Sequence, residues 1–274
     1  MPAMSRGVLF TGGMRDWTAT AEAYDRSFAT LCDGAAARLL ADLPGRDLLD
    51  VGCGTGRLAA RAERAGRAVT ALDADESMVE SARGRLRGRV LRAALPDLPL
   101  PDASEDAISA SFVLNHVDRP RAALAELRRV LRPGGRLAIT VWPAGGASWS
   151  AMLGEVFEEA GAVLPPPERL SAEEDFDRSA DGLAGLAREA QLEVRRACDL
   201  HWDWQVRPED LWAGLDAGIA TPGAVVRAQT PQVRARTREV FAARTEGLAD
   251  SGGILSFPVR AAYALAARPL DEEA

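Results

Sequence analysis

Between Leu48 and Ala59 the chain reads LLDVGCGTGRLA, an apolar run that passes through three alternating glycines into a stretch rich in alanine. This pattern constrains the fold more than any other. A short buried strand that turns at glycine into a helix is the opening unit of a parallel α/β sheet, and ligands of such sheets bind in the loops at the carboxyl ends of the strands. Gly52, Gly54 and Gly56 remove side chains that would hold a ligand off the main chain, and they admit backbone angles closed to other residues.

The rhythm continues downstream. A helix is predicted from Arg57 to Ala65 with Leu58, Ala59 and Ala62 on one face and Gly66 as its C-cap. A second strand, Ala68 to Leu72, runs to Asp73, and Asp75 can N-cap a helix with Met78, Val79 and Ala82 inward. A weaker strand spans Asp106 to Phe112. A helix from Pro120 to Leu131 follows, stopped by Pro133, Gly134 and Gly135, and then a strand from Arg136 to Trp142. Alternation of strands and helices implies a parallel sheet covered on both faces. Residues 144–178 break the rhythm around a helical piece, Trp149 to Ala160, and read as a lid. A helix near Asp181 to Glu189 leads into a long strand, Leu192 to Val206, whose partner is Phe257 to Ala267, with helical segments over residues 208–252.

Composition narrows the function. Hydrophobic residues at 47% and charged residues at 27% are ordinary for a globular chain of 274 residues. The net charge of −7, with no clustered Arg stripe, argues against a nucleic-acid partner. All 33 basic residues are Arg, which excludes lysine chemistry such as a Schiff base. Cys32, Cys53 and Cys198 are odd in number and at no metal-ligand spacing, which fits reduced thiols in a cytoplasm. Neither a signal-peptide core in MPAMSRGVLFTGG nor an apolar run long enough for a membrane span is present, so a soluble cytoplasmic protein is expected.

The glycine loop alone leaves a dinucleotide site open. Counted from Gly52, that fingerprint wants its third glycine at position 57, where this chain has Arg57; counted from Gly54, its looser form ending in alanine is met by Gly56 and Ala59. The surrounding blocks separate the two. DVGCGTG (Asp50 to Gly56) resembles the first motif of class I S-adenosylmethionine-dependent methyltransferases, and Asp73 the acid that closes their second strand. LPLPDASEDAISASFVLNHV (Leu98 to Val117) and LRRVLRPGGRLAITVW (Leu127 to Trp142) resemble the family's fourth- and fifth-strand regions, in its order and spacing.

The resemblance implies a doubly wound, seven-stranded, mostly parallel sheet with an antiparallel C-terminal strand and a helical cap. It divides one domain into an N-terminal helical cover (1–43), a cofactor-binding core (44–142), cap insertions (144–178 and 207–254) and remaining core elements (180–206 and 255–268). It implies S-adenosylmethionine as cofactor, with Gly52, Cys53 and Gly54 on its methionine part and Asp50 orienting the ammonium. Asp73 would hold the ribose, with Ala74, Met78, Ala94 and Leu95 about the adenine, Ser111 nearby, and Tyr24 covering the cofactor with Phe28 beside it. The family commonly has an acid for the adenine amino group where this chain has Ala94; Asp97 or backbone would have to substitute.

Most of these residues also have plainer uses. Asp73 suits a helix cap, and Cys53 a small filler. His116 is a candidate general base, though packing against the cofactor is an equal use, and for His201 the plain alternative is a place facing solvent. Trp149, Trp202, Trp204 and Trp212 would suit a flat apolar substrate, but core packing is the commoner use. The function implied is methyl transfer to an oxygen, nitrogen or carbon of a small molecule, in natural-product biosynthesis. The alternatives are a relative that binds the cofactor without transfer, such as a cyclase or regulatory binder, and a nicotinamide-dependent dehydrogenase.

Overall fold

The computed structural model describes residues 20–145, 147–166 and 169–270. The stretch read for a signal peptide and the first residues of the N-terminal cover lie outside them. The cover's described part is three short helices, α1 (Ala21–Arg26), α2 (Phe28–Cys32) and α3 (Ala36–Asp42). Strand β1 (Asp47–Val51) then enters the glycine loop, followed by α4 (Arg57–Arg64), β2 (Ala68–Asp73), α5 (Glu76–Arg85) and β3 (Arg89–Arg92).

Both expected caps form. Gly66, at φ +83°, donates to Glu63 O while Arg67 donates to Ala62 O, the paired bonds that close a helix through a left-handed glycine. Asp75 Oδ1 accepts from the amides of Ser77 (2.9 Å) and Met78 (3.2 Å), an N-cap worth about 1 kcal/mol.

Beyond β3 come β4 (Glu105–Ser111), α6 (Pro120–Val130) and β5 (Leu131–Val141). The helix ends one residue earlier than its apolar spacing predicts, because Leu131 pairs with Glu105 in the sheet. Then follow α7 (Ser148–Glu159), α8 (Ala180–Glu189), the long β6 (Glu193–Val206), α9 (Pro208–Asp216), α10 (Ala220–Arg227), α11 (Pro231–Glu246) and β7 (Leu255–Ala267).

The strands form one seven-stranded sheet in the order β3-β2-β1-β4-β5-β7-β6. Neighbours from β3 to β5 are parallel, and β7 runs antiparallel to both β5 and β6. Because side chains alternate along a strand, the two faces separate by parity. Leu49, Val51, Ile108, Leu137 and Ile139 pack with α6 and α8, whereas Leu48, Ala107 and Ala138 share the other layer with α4 and the cap helices. Chain order reverses at β1, which has β2 on one side and β4 on the other, so the switch-point crevice opens directly above the glycine loop. No helix among the described residues is long and apolar enough to cross a membrane.

Candidate active site

A cavity of about 890 Å³ lies over the carboxyl ends of β2, β1, β4 and β5. Its floor is the glycine loop, where Gly52, Gly54 and Gly56 have φ of +63°, +54° and +81°. Space forbids a side chain as firmly as the angles do. A Cβ on Gly52 would lie 2.1 Å from Val113 Cγ2, and one on Gly54 would lie 3.1 Å from the ring of Tyr24. Gly56 serves helix packing instead, since a Cβ there would meet Ala82 and Leu86 of the neighbouring helix at 3.2–3.3 Å, and its absence lets α4 approach α5.

Asp73 sits at the wall with its carboxylate fixed by backbone. The Gly54 amide donates to Oδ2 at 2.8 Å and the Asp75 amide to Oδ1 at 3.0 Å. Burial raises this carboxyl above its ordinary range, and the two amides pull it back down. Asp73 lines the cavity, and its two oxygens are the acceptors that two adjacent hydroxyls require.

Tyr24, Gly52, Gly54 and Asp73 line one cavity with Ala74 and Met78, and the same cavity reaches Ala94, Leu95, Ser111 and His116. Asp50 and Cys53 do not line it. The Asp50 side chain shares the face of β1 that carries Leu48, toward the Ala59 amide and Ser109, and is 2% exposed. Burial pushes its carboxyl up to about 7, Ser109 and the Ala59 amide oppose the rise, and the nearby Asp73 adds to it. Cys53 instead ties the loop to the sheet, its amide donating to Leu72 O at 2.9 Å. Asp97 does not line the cavity either; its amide donates to Ala94 O, turning the chain away.

The tryptophans are redistributed. Trp149 and Trp204 are 1% exposed and pack edge to face with ring centroids 5.7 Å apart, both beside Phe28, and Trp204 Nε1 donates to Thr30 Oγ1 at 2.8 Å. Trp212 packs on Phe241, and the Trp202 ring lies on Gly34. None of these four lines the cavity; Trp142 and Phe112 do, stacked at 3.9 Å and 12°. Both follow directly after strands, Phe112 after β4 and Trp142 after β5, the positions where a ligand crevice is expected. Ile219 and Ala220 come from the far cap, and no described residue of the 144–178 segment lines the cavity. His201 is exposed on β6.

Phe112 (φ +61°) and Ala220 (φ +55°) hold left-handed angles that cost roughly 1–3 kcal/mol each for residues with a side chain. Such strain survives where surrounding bonds impose it. The Phe112 amide is bound twice, by Thr140 O at 3.0 Å and Thr140 Oγ1 at 3.1 Å.

The cover is clamped over the loop. Asp25, next to Tyr24, accepts from both Arg85 guanidinium nitrogens at 3.0 Å and from Thr55 Oγ1, while Arg57 bridges to Asp33. Arg57, which occupies a dinucleotide glycine position, thus anchors the cover.

Residues 49–139 match the family model described as a methyltransferase domain. Over 141 residues the chain is 34% identical to an uncharacterized methyltransferase of Mycobacterium bovis, an alignment covering 45% of this chain and 71% of that protein. The chain belongs to the class I S-adenosylmethionine-dependent methyltransferases. It is also 41% identical over 128 residues to a demethylmenaquinone methyltransferase of Clavibacter sepedonicus, covering 43% of this chain and 52% of that one. The chain therefore spans about half the length of the first curated relatives it matches. In fold it resembles the crystal structure of the 4+2 cyclase SpnF, with a TM-score of 0.52 at 20% identity over 95% of this chain and 100% of that one.

The family's cofactor is S-adenosylmethionine, and the residues present suit it. Gly52 and Gly54 line the cavity with main chain, the space beside their Cα atoms being taken by Val113 and Tyr24, and a backbone-held carboxylate at Asp73 matches a ribose diol.

Proposed function

We propose that the protein transfers a methyl group from S-adenosylmethionine to an oxygen, nitrogen or carbon of a small-molecule acceptor, in natural-product biosynthesis. The observation that carries this reading is one cavity lined by both Asp73 and His116 together with the main chain of Gly52 and Gly54. The cofactor, when bound, supplies an electrophilic methyl group. Gly52 and Gly54 hold its methionine part by backbone, Asp73 its ribose, and Ala74, Met78 and Leu95 its adenine, with Tyr24 closing over the loop. Asp50 braces the loop from beneath rather than meeting the ammonium, since its side chain is turned toward α4.

The protein's main contribution is position. Holding two reactants in attack geometry accounts for roughly 7 kcal/mol or more of barrier lowering in favourable cases. Arg57 and Arg85 hold the cover against the loop. For a hydroxyl acceptor, His116 takes the proton as the oxygen attacks. A small acceptor is supported by a concave, mostly apolar cavity of about 890 Å³ and by the Clavibacter relative, a demethylmenaquinone methyltransferase. A basic groove for nucleic acid is not expected at a net charge of −7.

The alternative, cofactor binding without transfer, is favoured by Ala94, which offers no side-chain acceptor to the adenine amino group and gains none from Asp97. Release of S-adenosylhomocysteine across a panel of phenol, amine and enol acceptors separates the two. Turnover with one acceptor class, reduced on His116→Ala for hydroxyls, supports transfer. Cofactor binding with no product for any acceptor supports the alternative.

A further inference from the structure

The end of the cavity away from Asp73 has its own chemistry, and this inference rests on the cofactor reading above. With Asp73, Ala74 and Met78 at the β2 end, the acceptor is left the far end over β4 and β5. Its walls there include Phe28, Leu31, Phe112, Trp142 and Ile219. We propose that the acceptor is a ring-bearing molecule without an anionic group, docked against Phe112 and Trp142, and that these two residues set its specificity.

The ring pair is built to stay in place. Phe112 is pinned through its amide to Thr140, and the Trp142 amide donates to Oδ1 of the buried Asn115 at 2.9 Å. Trp202 backs Trp142 at 6.1 Å. Aromatic surface held rigidly before the ligand arrives selects planar rings, because neither partner loses much freedom on stacking. A bulky residue kept at a left-handed backbone angle at this position fits that duty, since strain of this kind collects at functional sites.

Charge is the second determinant. Asp118 and Arg119 stand exposed at the rim, and Arg92 is engaged with Ala74 O and Glu76 at the opposite end. The other titratable lining groups away from β2 include His116, four residues after Phe112, and the thiol of Cys32, which contacts Tyr24 and which burial holds neutral by pushing it up to about 12. A carboxylate on the acceptor would lose its water against the two rings, which offer it no charge in exchange.

The test uses the full chain saturated with S-adenosylhomocysteine and three probes on one bicyclic skeleton, 2-naphthol, 2-naphthoate and decahydro-2-naphthol, titrated by calorimetry. The expected result is that 2-naphthol binds about tenfold more tightly than either of the others, the scale of one aromatic contact or more. Trp142→Leu should lose about tenfold in 2-naphthol affinity and Trp142→Phe much less, with S-adenosylhomocysteine affinity unchanged within about twofold in both. The ranking of probes on the unaltered protein decides the matter even if Trp142→Leu does not fold. Equal or tighter binding of the anion or of the saturated ring overturns the proposal, as does no binding of 2-naphthol to protein that binds S-adenosylhomocysteine. Failure to bind S-adenosylhomocysteine at all overturns the cofactor reading beneath it.

Discussion

Replacing Asp73 by Asn isolates the ribose grip, because the side chain keeps its shape and loses its charge and one acceptor. In the native protein Oδ2 accepts from the Gly54 amide at 2.8 Å and Oδ1 from the Asp75 amide at 3.0 Å, and both oxygens have further acceptor capacity for a diol. An amide accepts at one position only; its NH2 group would face an N–H donor at the other. One hydrogen bond to a charged acceptor is therefore lost in the complex, and such bonds contribute about 1.5–3 kcal/mol. The expected outcome is a fall in S-adenosylhomocysteine affinity of roughly tenfold to 150-fold. Calorimetry near neutral pH measures it, with a thermal melt to show that the variant is folded. A dissociation constant within about threefold of the unaltered protein would refute the assignment of Asp73 to the ribose.

Three further outcomes are expected. Burial lifts Asp50 to about 7, above the roughly 3.9 of an unfolded chain, so the native state holds the extra proton between those values and stability falls as pH rises from about 4 to about 7. Asp50→Asn should flatten that part of the melting-temperature profile; an unchanged slope contradicts the burial assigned to it. Tyr24→Ala uncovers Gly54 and should weaken S-adenosylhomocysteine binding by about tenfold, while Tyr24→Phe, which keeps the ring, should stay within about threefold. Equal losses in both would move the effect from the ring to the hydroxyl. Ala103 holds φ +50° away from the cavity, so Ala103→Gly should raise stability by about 0.5–1 kcal/mol, read in a denaturant titration. A loss of stability there would show the angle to be unstrained.

Much of the sheet and of the glycine-loop end of the cavity was legible because local rules and the global fold agree there. The apolar run into Gly52, the cap at Asp75 and the left-handed Gly66 each follow from neighbouring residues, and together they force a β-α-β-α unit with Asp73 beside the loop. The acceptor end was less legible. HWDWQV in β6 alternates whichever face is buried, so the sequence does not show that Trp204 enters the core against Phe28 and Thr30 while His201 faces out. Phe112 and Trp142 are single residues after two strands, separated by thirty positions, and only the β4–β5 pairing stacks them. Ile219 reaches the cavity through packing of α9 and α10, which no local pattern encodes. Strand parity buries the Asp50 side chain beneath the loop, off the cavity, which the motif alone does not reveal.

The most direct measurement is a pair of calorimetric titrations of the unaltered protein, one with S-adenosylhomocysteine and one with NADH. Saturable binding of one S-adenosylhomocysteine per chain, with no heat from NADH, is the expected result. Silence toward S-adenosylhomocysteine, or tighter binding of NADH, would contradict the assignment of this glycine-floored cavity to a sulfonium nucleoside.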